Sequence, residues 1–330
     1  DVSLDNYAPS GVIPACLLPF DASLAIDEAA YRSHLSDLAS VHGISAITVN
    51  GHAAEVHAMT LDEQREGIRI AVDELAGRLP VIAGVFTGGS IEAGQIAKMA
   101  EEAGAACLLV FPPGSTAMGG QKRPEMAVRH IECIVEQTQL PLILFQYPLS
   151  SGLGYPLDTL LDLCRRFPAI RAIKDWCNDP ALHERHIREL HSLDTPVNIL
   201  STHSAWLLGS LVLGCDGLLS GAGSVIADLQ VALWEAVASK DLITAQAVND
   251  RIYHTVQAFY SDPFLDMHNR MKEALVLLGR LESAHVRPPL YKLSHDEIQF
   301  IDACLKKAGI TPETVYRGVD LVRAAHPVSA

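Results

Sequence analysis

Residues Pro141 to Lys174 read PLILFQYPLSSGLGYPLDTLLDLCRRFPAIRAIK. Pro141 to Tyr147 is a nearly unbroken apolar run of strand length. Pro156 to Phe167 carries helical spacing, and Ile170 to Lys174 is a second short apolar run. Strand, helix, strand at this spacing is a βαβ unit. The strand runs are continuous in apolar residues, not alternating, which suits parallel strands buried on both faces.

The unit repeats in both directions. Upstream, Gly11 to Phe20 is followed by a helix striped with Ile26, Tyr31, Leu35 and Leu38 and ended by Gly43. Ile44 to Val49 precedes a helix from Leu61 to about Ala76. Pro80 to Phe86 precedes Ile91 to Glu102, which Gly104 closes as a C-terminal glycine does. Ala105 to Phe111 precedes a helix from Pro124 to Thr138. Downstream come a helix over Pro180 to His191, a strand over Pro196 to Ser201 with a helix over Ala205 to Leu213, and a strand over Cys215 to Ser220 with a helix over Val225 to Ser239. About eight such units in roughly 230 residues predict an α/β fold, a (β/α)8 TIM barrel, over residues 11–239. A doubly wound sheet is the alternative, but no GxGxxG follows an early strand. Helical patterns at Leu242 to Phe259, Leu265 to Leu278 and Ser294 to Ala308 have no strands between them. They predict a C-terminal helical extension over 240–310, and residues 311–330 form a weakly patterned tail.

Composition narrows the function. Hydrophobic residues make up 49% of the chain and charged residues 19%, enough apolar material for a large core. Aromatics are only 6%, so the core is built from Ala, Val, Leu and Ile. A net charge of -14 opposes nucleic acid and anionic membrane surfaces as partners. No apolar stretch approaches the roughly 20 residues of a membrane-spanning helix, and the opening DVSLDNYAPSG has no basic region leading into an apolar core. The seven cysteines are scattered, never in a CxxC pair. They predict buried free thiols in a reducing, cytoplasmic setting, with no zinc site.

In a barrel of this kind, chemistry gathers at the C-terminal ends of the strands. Of the eight lysines, Lys174 alone ends a predicted strand, in Ile170-Arg171-Ala172-Ile173-Lys174-Asp175-Trp176. Alternation puts it on one face with Ala172 and Ile170, so it points into the barrel. Desolvation there lowers the proton affinity of an ammonium. A neutral amine in a dry pocket is what attack on a carbonyl needs. The structural alternative is an ion pair between Lys174 and Asp175.

At this point the chain resembles the dihydrodipicolinate synthase / N-acetylneuraminate lyase family of class I aldolases, from Gly11 to about Gly309. GVIPACLLPF resembles that family's opening strand. NGHAAE (Asn50 to Glu55) stands at its G-T-T-G-E loop, FQYP (Phe145 to Pro148) at its Y-N-x-P, AIKDW (Ala172 to Trp176) at its Schiff-base lysine strand, and VRPPLYKLS (Val286 to Ser294) before its last helix. The resemblance implies that Lys174 condenses with a 2-oxo acid such as pyruvate. The imine then acts as electron sink while the adjacent C–C bond is made or broken, and an aldehyde is a candidate second substrate. No metal or organic cofactor is implied, and a homo-oligomer, tetramer or dimer, is.

The departures bear on substrate. The family's two loop hydroxyls, which help hold the substrate carboxylate, fall at His52 and Ala53. The backbone N–H groups of Ala53 and Ala54 remain to bind it, and His52 is a candidate donor or acid–base. Glu55 matches a glutamate that reads as a loop brace. The family's tyrosine proton shuttle falls at Phe145, and Tyr147, two residues on along the same strand face, is the candidate replacement. His203 is a further candidate for the pocket wall, with Leu219 and Ser220 at the end of the eighth strand. The arginine and the fourth-strand tyrosine of dihydrodipicolinate synthases fall at Ser150 and near Gly114, so that synthesis is not expected here. A dehydratase or hydratase-aldolase on a sugar-acid or aromatic 2-oxo acid uses the same imine. Two further readings stand beside it: a metal site built from His52, His57, Asp175 and His203, and a non-catalytic binder of 2-oxo acids.

Overall fold

The computed structural model describes residues 6–325. Eight parallel strands lie in the order β1-β8-β7-β6-β5-β4-β3-β2: β1 (Gly11–Pro14), β2 (Ile47–Val49), β3 (Val81–Val85), β4 (Cys107–Val110), β5 (Leu142–Gln146), β6 (Ile170–Asp175), β7 (Asn198–Ser201) and β8 (Gly217–Ser220). The ring closes between β1 and β2 through single bridges, Val12 with Ile44 and Ala15 with Thr48. Helices α1 (Glu28–Ala39), α2 (Leu61–Leu75), α3 (Ser90–Glu102), α4 (Pro124–Val135), α5 (Leu157–Arg166), α6 (Pro180–His191), α7 (Leu207–Val212) and α8 (Gly223–Ala238) alternate with the strands. The fold is the expected (β/α)8 TIM barrel. Its strands are buried on both faces, which is why their sequences run apolar without a break.

Local chemistry sets the boundaries. Thr60 caps α2 in a reciprocal pair with Glu63, and Asp179 caps α6 by accepting from Ala181 and Leu182. Gly84 in β3 is required by space, since a Cβ there would stand 2.0 Å from the carbonyl oxygen of Asn50. Six of the seven cysteines are buried, Cys133 is half-buried, and all are free.

The chain continues as α9 (Leu242–Phe259), α10 (Met267–Leu277) and α11 (His295–Lys307), the expected helical extension. Two expectations are corrected. The opening run is strand only as far as Pro14, and the rest of it to Phe20 is irregular, touching β2 through Ala15 and Cys16 alone. The tail holds a helix, α12 (Gly318–Ala325), packed on α8. Its anchors are distant in sequence: Gly318 N–H donates to Asp228, the Tyr316 hydroxyl to the Ser224 carbonyl, and Arg323 pairs with Glu235. An eight-residue helix held this way leaves little periodic signal. Residues 326–330 of the tail lie outside the described residues. No helix among the described residues is long and apolar enough to cross a membrane.

Candidate active site

The strand ends, the loops after them and the first turn of α10 enclose a cavity of about 450 Å³. Lys174 reaches it from β6, whose register sets it beside Phe145 of β5. Its Nζ lies 4.2 Å from the centre of the Phe145 ring. It has no hydrogen-bond or ion-pair partner among the described residues. Burial lowers its pKa to about 7, so the neutral amine is accessible at ordinary pH.

Asp175 does not neutralise it. The next residue along a strand faces the other way, and Asp175 is buried behind β6. There it accepts from His183 Nδ1 at 2.7 Å, from His186 Nδ1 at 2.8 Å and from the Cys177 N–H at 3.0 Å. Burial alone would raise its pKa, but the two imidazoles hold it far below the usual carboxylate range. The alternation of β6 therefore separates a buried amine facing the cavity from an anion behind the strand.

His52 opens a 3-10 turn after β2, with its ring 4.9 Å from that of Phe111. Its Nε2 stands 2.6 Å from the Tyr147 hydroxyl, which comes from the end of β5. Burial, then the charges of Lys174 and His57, push its pKa down to about 3, so the ring is neutral. With the hydroxyl donating, Nε2 carries the lone pair. Burial also raises the Tyr147 phenol. Phe145 and Ala53 line the cavity.

Four expected residues lie elsewhere. Ala54 is buried behind the wall, and its N–H donates to the Gly51 carbonyl at 3.1 Å. Leu219 and Ser220 are fully buried and do not line the cavity. Ser220 supports it indirectly, through a 2.9 Å bond to Ser204, which does. His203 turns away: it stacks on Trp206, and its Nε2 accepts from the Asn178 N–H at 3.1 Å. The metal set of His52, His57, Asp175 and His203 is thereby divided, two residues in the cavity and two behind β6. Asp175, Cys177, His183 and His203 do converge there, with one donor atom from each within 4.8 Å of the others. This quartet has the ligand types for a metal, but its atoms are already engaged: Asp175 with two imidazoles, His203 Nε2 with the Asn178 N–H, and the Cys177 thiol with the Asp179 carbonyl at 3.4 Å.

Glu55 is a brace. Its carboxylate lies 2.6 Å from Lys272 Nζ of α10 and accepts from the Arg287 N–H at 2.9 Å. Other wall residues were not singled out from sequence: Trp176, Tyr260, Phe264 and His268. Trp176 follows directly on the lysine strand, which was a signal in plain view. The others arrive from the extension, whose docking on the mouth no local pattern announces.

The model of the dihydrodipicolinate synthetase family matches residues 8–308 of this chain. A 4-hydroxy-tetrahydrodipicolinate synthase of Methanopyrus kandleri is 30% identical over 317 residues, covering 93% of this chain and 99% of that protein. A "probable 5-dehydro-4-deoxyglucarate dehydratase" of Bradyrhizobium diazoefficiens is 29% identical over 90% of this chain and 92% of its own length. Among solved structures, YagE, a prophage protein of E. coli K12 crystallised with pyruvate, superposes with a TM-score of 0.83. It is 24% identical and covers 91% of this chain and 99% of its own.

Proposed function

The chain belongs to the dihydrodipicolinate synthetase family, whose members are lyases, synthases and dehydratases, and on that premise we propose that it is a Schiff-base lyase acting on a 2-oxo acid of the pyruvate type. One observation carries this: an unpaired, buried lysine amine facing a cavity, with a pKa lowered to about 7 by burial. The amine adds to the ketone carbon, the ketone oxygen takes up protons and leaves as water, and a cationic imine remains.

Tyr147 and His52 move the proton. In the cleaving direction the hydroxyl next to the scissile bond gives its proton to the Tyr147 oxygen, while the Tyr147 proton passes to His52 Nε2. The C–C bond pair collapses into the imine, giving a neutral enamine and an aldehyde. Positive charge thus passes from the imine nitrogen to the imidazole, and the net charge of the site does not change. The imidazolium then returns the proton through Tyr147 to the enamine carbon, and water releases the 2-oxo acid and the free amine. Synthesis is the same path reversed.

The rest of the wall supports an uncharged partner. The charged lining residues are Lys174 and Glu55, and Glu55 is already paired with Lys272. Among the described residues no arginine lines the cavity to receive a second carboxylate. Trp176 and Phe264 stack at 5.6 Å, Tyr147 meets Trp176 at 5.3 Å, and Phe264 is partly exposed. This lining favours a flat apolar aldehyde over the reaction of the named synthases. The dehydratase relative keeps a second outcome open on the same imine, in which water is expelled and the carbon chain stays whole.

The test is borohydride reduction in the presence of pyruvate, followed by peptide mapping. A reduced adduct on Lys174 is expected. No adduct with any 2-oxo acid ends this account.

A further inference from the structure

Resting on the Schiff-base reading above, we propose that His268 anchors the carboxylate of the 2-oxo acid, its Nε2–H donating to a carboxylate oxygen.

His268 comes from the first turn of α10, far in sequence from the strand-end residues. It is 8% exposed, lines the cavity and has no hydrogen-bond partner among the described residues. A buried imidazole without a partner is uncommon, and one that faces a cavity is placed to meet a ligand. The position of Nε2 follows from two neighbours. A Cβ added to Gly221 would stand 2.5 Å from Nε2 and 3.7 Å from the Ala53 methyl. The nitrogen therefore sits in the gap between the end of β8 and the 3-10 turn that holds His52 and Ala53.

That turn is where the resembled family carries its two carboxylate-binding hydroxyls, and Ala53 has none. The His268 imidazole and Ala53 both line the cavity there. Ala53 also sits at the start of a 3-10 turn, where backbone N–H groups lack partners within the helix, so a carboxylate there would be held from two sides.

The helix that carries the ring is anchored to the same loop. Lys272 lies one turn further along α10 on the same face and binds Glu55 of the same loop at 2.6 Å. This pair fixes the face of α10 that carries His268 against the loop. The groups facing His268 are His52, Lys174, Lys272 and His57, and together with burial they keep the ring neutral. A neutral imidazole still donates one N–H, and the nearby Lys174 amine is the group that must meet the ketone beside the carboxylate.

The experiment compares two ketones that differ in the carboxylate. Borohydride trapping on Lys174 is titrated with pyruvate and with hydroxyacetone, using the unaltered protein, His268→Ala, His268→Asn and Gly221→Ala. For His268→Ala the half-saturating pyruvate concentration should rise about ten- to hundredfold, the loss expected for one hydrogen bond to a charged group. Hydroxyacetone should shift by less than about twofold, since its binding lacks that bond. His268→Asn keeps a donor and should fall between, and Gly221→Ala, which displaces Nε2, should follow His268→Ala. Equal shifts for both ketones, or none for pyruvate, overturn the proposal. Absence of any adduct on the unaltered protein is a separate result and removes the Schiff-base reading itself.

Discussion

Tyr147 and His52 come from strand ends separated by β3 and β4, yet the Tyr147 hydroxyl and His52 Nε2 meet at 2.6 Å. Among the described residues neither has another side-chain hydrogen-bond partner. Under the proposed mechanism the pair works as one unit, so that breaking either half should break both.

Tyr147→Phe and His52→Gln should each lower kcat by about 10² to 10⁴, the usual range for a lost acid–base group. The double variant should be scarcely worse than the poorer single one, because groups that act together are not additive. Steady-state kinetics on the four proteins tests this, and losses that multiply would show two independent roles.

The amine of Lys174 should set the pH dependence of imine formation. Its pKa is lowered to about 7 by burial, so trapping with pyruvate should rise through that pH and level off above it. The same shift carries a stability consequence. An unfolded lysine keeps its proton to about pH 10.4, so between these values the unfolded chain binds more protons and stability rises with pH. Below pH 7 the folded state bears a buried charge with no ion partner. Lys174→Met should remove the adduct, lower activity by about 10⁴-fold or more, and raise Tm at neutral and acid pH. A lower Tm would contradict the burial argument.

Asp175 should be structural. Its carboxylate accepts from two imidazoles and one backbone N–H behind β6. Asp175→Asn sets an amide N–H2 against imidazole N–H groups, and unfolding in urea should register a loss of about 3 kcal/mol or more. Because the folded carboxyl is held below its unfolded value, its stabilisation is present above about pH 4 and fades as pH falls further. A flat acid limb in Asp175→Asn, against a falling one in the parent, is the expected difference.

The partner aldehyde should be apolar. With pyruvate, benzaldehyde should give a condensation product with kcat/KM about tenfold or more above succinic semialdehyde, because one ring contact and one uncompensated charge both favour it. Phe264→Ala, at the partly exposed rim, should raise the KM for benzaldehyde relative to that for pyruvate. Preference for the charged aldehyde would argue for the chemistry of the named synthases.

The barrel was legible because period and burial agree: strands enclosed on both faces must be apolar at every position, and Val, Ile and Leu runs such as Leu142 to Phe145 have no other use. Lys174 was legible for the same reason, as the one lysine breaking such a run at its end. Ala54 was misplaced because a turn offers alternate faces, and a one-residue offset exchanges the cavity for the wall; Leu219 and Ser220 stop short of the mouth, where Gly221, the next residue along the chain, lines the cavity instead. His203 was misplaced because Asn178 and Trp206 draw its ring away, and neither contact can be read along the chain. His268 and Phe264 were invisible for a related reason. Their value comes from where α10 docks, and that depends on Lys272 finding Glu55, 217 residues earlier.

That bond ties the first quarter of the polypeptide to the last. Translation runs from the amino end, so the carboxylate of Glu55 emerges from the ribosome long before the ammonium that will cover it. A nascent barrel, however complete its ring of strands, still has an unfinished mouth, and the finished enzyme is born only when the closing helices arrive.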